Sequence, residues 1–449
     1  MKLALQRPDA SALREVLRRP VVADYVYMYP PRQVYRPLTQ DAIADREARS
    51  LARSNIVNLY FHFPFCRQIC AFCNLYAIHT GGSDLFEGYL QHLEREVQQY
   101  EPLLRGKQVD TLYLGGGTPS LLGPERFARF FAFLRSTIGL QIRDVPEVAL
   151  EVSPETVTYE TLRDYRAIGI NRINLGFQST SDAELHVIGR SYDHRQALNT
   201  LAAAQKVAFP NICVDLIYGL RGQDLASWKG SLSTVLGMRP ETICAYPLTL
   251  RPFTGFSRRG YVGIDAADQL AKYDYAALTL QDAGYLQETH IRYILSARGG
   301  YRQKANHWAM QNVLGFGAGA RSYLWECDFR NGYSVRDRQR AYREYLQRVQ
   351  DTGYGRAEGF LMEDEERRRK AVILGLISLD RTWYRNLFES DVLADFRAEF
   401  GILEDLGLIR VSADLVELTE LGLRHRDVVV QAFFGDRVRD LLVAFDYAE

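Results

Sequence analysis

From residue 56 onward, short β-branched and aromatic runs alternate with longer amphipathic stretches. The runs are VNLYFHF (57–63), VDTLYLGG (109–116), PEVALEVS (146–153), NRINLGFQ (171–178), NICVDLIYGL (211–220) and ETICAYPLTL (241–250). Between them, DLFEGYLQHLEREVQQY (84–100), PERFARFFAFLRSTI (124–138) and TYETLRDYRAIG (158–169) repeat apolar residues at helical spacing. DHRQALNTLAAAQKVAF, DLASWKGSLSTVL and AADQLAKYDYAALTLQDAGY continue the series. Strand–helix alternation predicts right-handed βαβ units on a parallel sheet. Six such units predict an α/β protein with a curved sheet, either a partial barrel or a doubly wound layer. In both, ligands sit at the C-terminal ends of the strands.

The flanks break this rhythm. Residues 1–55 are arginine-rich and carry YVYMYPPRQVYRPL (25–38), whose paired prolines exclude a helix there. An extended N-terminal arm, a strap on the surface, is expected. The rhythm is read as stopping near residue 300. EDEERRRKAVILGLISL (363–379) predicts a helix, and residues 392–449 predict helix, short hairpin (VSADLVELT) and helix. That is the size and pattern of a winged-helix-like module, expected to act as a lid or packing domain. The expected division is an arm at 1–55, an α/β unit at 56–300 and a mostly helical C-terminal domain at 301–449.

Composition narrows the function classes. Of 449 residues, 47% are hydrophobic and 24% charged, ordinary for a globular chain. Lys+Arg and Asp+Glu both count 55, so no bulk positive charge favours nucleic acid. No apolar run approaches the ~20 residues that span a bilayer, and MKLALQRPDAS is too short an apolar stretch for a secretory signal. A cytoplasmic protein with neither nucleic-acid nor membrane partners is expected.

Six cysteines are present, and Cys66, Cys70 and Cys73 fall within eight residues of one another, directly after the first predicted strand. A secreted disulfide framework is not spaced this way. Three thiolates on one loop suit an iron–sulfur cluster. A structural zinc site would need a fourth ligand, which His62 or His79 could supply.

The spacing C-x3-C-x2-C at the end of a first strand is similar to that of the radical S-adenosylmethionine (SAM) superfamily. The context YFHFPFCRQICAFCNLY (60–76) resembles the subfamily of oxygen-independent coproporphyrinogen III dehydrogenase-like (HemN-like) proteins. LGGGTPSL (114–121), EVSP (151–154), NRINLGFQS (171–179), IGR (188–190), DLIYGL (215–220) and GFGAGA (315–320) resemble it in the same order. The likeness is clear over about 56–325 and fainter beyond.

The resemblance implies a partial (β/α)6 barrel of the TIM type. It also implies a [4Fe-4S] cluster on Cys66, Cys70 and Cys73, with one iron left open to SAM, whose reductive cleavage gives a 5′-deoxyadenosyl radical. Two SAM molecules are implied. Tyr60, Gly116 and Glu151 would line the cluster-bound one; Phe72, Gly117, Thr118, Gln178, Arg190 and Asp215 would line the second. GFGAGA (315–320) would close over SAM. A small-molecule substrate and an external one-electron donor of the flavodoxin or ferredoxin type follow. No general base is singled out, and the oligomeric state stays open, with a monomer acceptable.

The chain departs from the pattern at Leu75, where coproporphyrinogen dehydrogenases usually carry a fourth cysteine. The two-SAM motifs without that cysteine resemble the class C methyltransferase and cyclopropane-forming branch of natural-product biosynthesis. Methyl or methylene transfer to an sp2 carbon is therefore the expected reaction. Oxidative decarboxylation of coproporphyrinogen III and non-enzymatic haem carriage, as in haem-chaperone relatives, are the alternatives.

Overall fold

A computed structural model of the chain describes residues 10–17, 26, 28–80, 82, 84–261, 265–296 and 299–445. The six runs become strands β1 (Ile56–Phe63), β2 (Gln108–Gly116), β3 (Glu147–Val152), β4 (Arg172–Gln178), β5 (Asn211–Tyr218) and β6 (Thr242–Pro247). They pair in sequence order, all parallel. Helices cover the sheet, so nearly every strand residue is buried, and the strands read as continuous apolar runs. Local chemistry sets the helix ends. Asp193 and Asp224 accept from the amides of Gln196 and Ser227 to start two helices, and Gly189, at φ 78°, ends a third. The α/β partial-barrel expectation matches this sheet.

The strand rhythm does not stop near residue 300. Val313–Phe316 forms β7, parallel to β1 on its free side. β8 (Arg321–Tyr323), β9 (Cys327–Asn331) and β10 (Arg356–Leu361) follow antiparallel, and Arg36–Pro37 of the arm pairs with β10. The segment GFGAGA supplies the end of β7 and the tight turn into β8. A Cβ at Gly315 would meet the Arg321 carbonyl oxygen at 2.2 Å, so the hairpin requires glycine. Those same glycines erase the β-branched signature by which a strand is recognised in sequence.

The arm is not a surface strap. Tyr29 and Val34 are fully buried in a second core with Ile373, Tyr384, Val416 and Phe433. The Tyr29 hydroxyl donates to Glu366 and accepts from the Gly435 amide. The arm also holds a helix, Gln40–Ala52, started by the Thr39 side chain on the Ala42 amide. The prolines hold for their own segment only. Residues 1–9, Tyr25 and Tyr27 lie outside the described residues.

Toward the C-terminus, the helix Asp364–Gly375 is where expected. β11 (Ser378–Asp380), β12 (Ile409–Val411) and β13 (Leu415–Leu418) make a small sheet with β13 central. The β12–β13 hairpin coincides with VSADLVELT, and short helices surround it. Among the described residues, no helix is long and apolar enough to cross a membrane.

Candidate active site

β1 runs straight into the cysteine loop. Phe65–Cys66 pairs with Ile78–His79 and closes the loop at its base. The Cys73 amide donates to the Cys70 carbonyl at 3.0 Å, which makes the inner turn. Three other regions pin the loop. The Ala71 amide donates to Ile188, and its carbonyl accepts from Phe256. From the helix Arg338–Thr352, the Arg338 guanidinium donates to the carbonyls of Cys73, Leu75 and Ala77. On the far side, the amides of Gly117 and Thr118 donate to Phe63 and Phe65.

Burial pushes the Cys66 thiol up to about 12 and Cys73 up to about 11, and repulsion between the loop's thiols adds to this. Cys66 and Cys73 ionise together only around a strongly positive group, so the donor set fits a cationic iron core. Space fits too. A Cβ at Gly117 would lie 2.6 Å from the Phe65 carbonyl oxygen and 2.9 Å from Cys66 Sγ. The Thr118 hydroxyl sits 3.5 Å from that sulfur. The zinc alternative loses one of its two candidate fourth ligands, because both His62 nitrogens are engaged. Burial pulls His62 down to about 4, so its ring is neutral. Nε2–H donates to the Tyr76 carbonyl at 2.8 Å, and Nδ1 accepts from the Tyr60 hydroxyl at 2.8 Å.

The loop opens onto a cavity of about 500 Å³ at the C-terminal ends of the strands. Tyr60, Phe72, Cys73, Glu151, Gln178 and Asp215 all line it. Gly116, Gly117, Thr118 and Arg190, with Cys66 and Cys70, stand around it rather than in its wall. Gly116, at φ 122°, directs its amide to Glu151. Space beside the glycines is filled by the protein itself: a Cβ at Gly116 would meet the His62 ring at 2.9 Å. Gln178 sits at a register shift between β4 and β5 with φ 69°, a bulge that re-aims its side chain at the strand end.

Arg190 is half-buried beside Cys70 and Cys73. It gives one hydrogen bond to the Ser153 hydroxyl, and its Nε has no partner among the described residues. An orphaned guanidinium N–H beside the cysteine loop fits an incoming carboxylate or ring nitrogen. Burial raises Glu151 to about 7 and Asp215 well above the ordinary carboxylate range.

Several lining groups were not singled out in the sequence. Tyr113 stacks between Tyr60 and Tyr301, at 5.8 and 5.5 Å, and makes an aromatic wall. Arg32, Arg251, Lys304 and Arg321 bring positive charge from four separate segments. No local motif marks them, because they converge only when the arm and β7–β8 close over the barrel. His307 also lines the cavity; burial holds it neutral, and its ring lies 4.3 Å from that of Tyr323.

Comparison with known proteins places this geometry. The Radical SAM superfamily profile matches residues 60–235. The haem chaperone HemW of Lactococcus lactis is 30% identical over 278 residues, covering 61% of this chain and 71% of that protein. The oxygen-independent coproporphyrinogen III oxidase of Escherichia coli is 27% identical over 388 residues, covering 82% of each. A solved structure of coproporphyrinogen III oxidase (HemN) from Escherichia coli superposes with a TM-score of 0.78 at 23% identity, over 92% of this chain and 99% of that one. The last match shows the fold.

Proposed function

The chain belongs to the radical SAM superfamily, in its HemN/HemW-like group, and from that premise we propose that it is a radical SAM enzyme acting on a carboxylate-bearing tetrapyrrole. One observation carries this reading: a single cavity joins Cys73 and Glu151 to the cationic groups of Arg32, Arg251, Lys304 and Arg321. Cationic and aromatic walls suit a flat, anionic, largely apolar ligand.

In this reading Cys66, Cys70 and Cys73 would hold a [4Fe-4S] cluster, and Tyr60, Gly116 and Glu151 would hold SAM beside it. When bound, the cluster supplies the single electron that splits SAM into methionine and a 5′-deoxyadenosyl radical. The chain's own residues do the rest. Arg338 fixes the loop carbonyls, and Arg190 offers donors beside Cys70 and Cys73. The stacked Tyr60, Tyr113 and Tyr301 exclude water from one wall. The four cations orient substrate carboxylates. An external one-electron donor of the flavodoxin or ferredoxin type completes the scheme.

Haem carriage is the second reading. It is supported by Leu75 at the fourth-cysteine position and by the HemW relative. Methyl or cyclopropane transfer from a second SAM stands behind both. It rests on Phe72, Gly117, Thr118, Gln178, Arg190 and Asp215 and on Leu75 in place of a fourth cysteine; of the six, Phe72, Gln178 and Asp215 line the cavity, and the relatives named above are a haem chaperone and an oxidase.

The test is anaerobic turnover of the reconstituted protein with dithionite, SAM and coproporphyrinogen III, read by mass spectrometry. 5′-Deoxyadenosine with loss of substrate carboxylate supports the enzyme reading. Stable stoichiometric haem binding with negligible SAM cleavage replaces it with haem carriage. Equal yields of 5′-deoxyadenosine and S-adenosylhomocysteine would return the methyltransferase.

A further inference from the structure

Beneath the cavity lies a second sulfur site, remote in sequence from the cysteine loop. In the register of β5 and β6, Asp215 faces Cys244 and Cys213 faces Thr242. The two cysteines are thus diagonal neighbours on adjacent parallel strands. Their sulfurs are 3.6 Å apart, and each residue is only 3% exposed. Cys213 and Asp215 alternate onto the same face of β5, and the Cys213 thiol points at Asp215 Oδ1 at 3.7 Å. Asp215 is a wall residue of the cavity, so one side chain separates the sulfur pair from that space.

Two chemistries compete for such a site. Cys213, Asp215 and Cys244 offer three ligand atoms within 4.8 Å of one another, which would suit a soft cation. The surroundings oppose one. The guanidiniums of Arg172 and Arg292 lie beside these sulfurs, and both are buried. Each guanidinium is also paired with a carboxylate, Arg172 with Glu147 at 3.7 Å and Arg292 with Glu288 at 2.6 Å, and their positive ends toward the sulfurs favour a thiolate over a cation. With the Cys213 thiol directed at Asp215, the nearby guanidiniums act on Cys244, whose pKa they help pull down, so Cys244 is the sulfur that ionises more readily.

We propose that Cys213 and Cys244 form a redox-active dithiol that a peroxide converts to a disulfide joining β5 to β6. The Cys244 thiolate attacks one peroxide oxygen; the O–O bond breaks and the departing oxygen leaves as water after taking a proton. Cys244 is then a sulfenic acid. The Cys213 sulfur attacks it, the S–OH bond breaks, a second water leaves and the S–S bond forms. Two electrons pass from the sulfurs to the peroxide oxygens, and a dithiol reductant reverses the change. The disulfide removes the thiol that donates to Asp215 and the anion that Arg172 and Arg292 face. The wall of the cavity therefore senses the oxidation state.

The test is to treat the folded, cluster-loaded protein with a small molar excess of hydrogen peroxide, quench in acid, alkylate under denaturing conditions and map the peptides. The expected result is a Cys213–Cys244 cross-linked peptide short of two hydrogens, restored to thiols by dithiothreitol, while Cys327, fully buried and away from the pair, stays alkylated. Cys213→Ser should stop Cys244 at a dimedone-trappable sulfenic acid, and Cys244→Ser should leave Cys213 unoxidised. Cluster loss cannot mimic the link, because Cys66, Cys70 and Cys73 lie in another peptide. Two alkylated thiols at a dose that oxidises other sulfurs overturns the proposal. So does zinc at one equivalent per chain that disappears in both serine variants.

Discussion

Glu151 accepts a hydrogen bond from the Gly116 amide at 3.0 Å and a second from the Tyr113 hydroxyl at 2.7 Å. The carboxylate therefore joins β3 to the end of β2 and to the tyrosine wall. It faces the cavity from a site where burial raises its pKa to about 7.

The first prediction concerns that carboxyl. Its folded pKa is raised from 4.5, so the folded state holds a proton that the unfolded state releases. Its contribution to stability is full below about 4.5 and is lost as pH rises through about 7. Ligand-free protein should melt at progressively lower temperature across that window, and Glu151→Gln should flatten the slope. The same variant should weaken SAM binding roughly 10- to 100-fold, as loss of a charged hydrogen-bond partner does. Calorimetric melts at several pH values and SAM titration check both.

The second concerns the cluster ligands. Cys70→Ala should abolish both the iron–sulfur absorbance and SAM cleavage while leaving the far-ultraviolet circular dichroism unchanged. Cleavage that survives would defeat the assignment of the loop.

A third follows from Arg338, one side chain that holds three loop carbonyls. Arg338→Ala should reduce reconstituted iron per chain several-fold, since each lost charge-assisted bond costs about 1.5–3 kcal/mol of loop order. Global melting should move little. Full iron content in this variant would mean that the loop holds its shape unaided.

The fourth tests the arm. Tyr29→Phe deletes the hydroxyl between Glu366 and the Gly435 amide and leaves both partners buried. A loss of roughly 1–3 kcal/mol in denaturant unfolding is expected. SAM cleavage should persist, because this contact lies in the second core and not at the cysteine loop.

Much of the barrel was legible in the sequence because its signals are local. Val57–Phe63 and Asn211–Tyr218 read as strands since buried parallel strands are apolar throughout. Cys66, Cys70 and Cys73 read as one site since nearness in sequence guarantees nearness in space. β7 was not legible, because Gly315 and Gly317 serve a hairpin and so lack the side chains that announce a strand. The helix Gln40–Ala52 was hidden behind the prolines that precede it.

By itself, then, the sequence determined the alternation of strands and helices, the cysteine loop, and the candidates Tyr60, Phe72, Glu151, Gln178 and Asp215. Tertiary structure alone decided that these five share one cavity, that Arg190 stands behind it, and that Arg32, Arg251, Lys304 and Arg321 add positive charge. It also decided that Tyr29 is core and that Cys213 meets Cys244. The physical reason is the range of the interactions. Propensity, patterning and capping act over a few residues, whereas these encounters join segments tens to hundreds of residues apart. They are set by strand register and by the burial that closes the arm and β7 over the barrel.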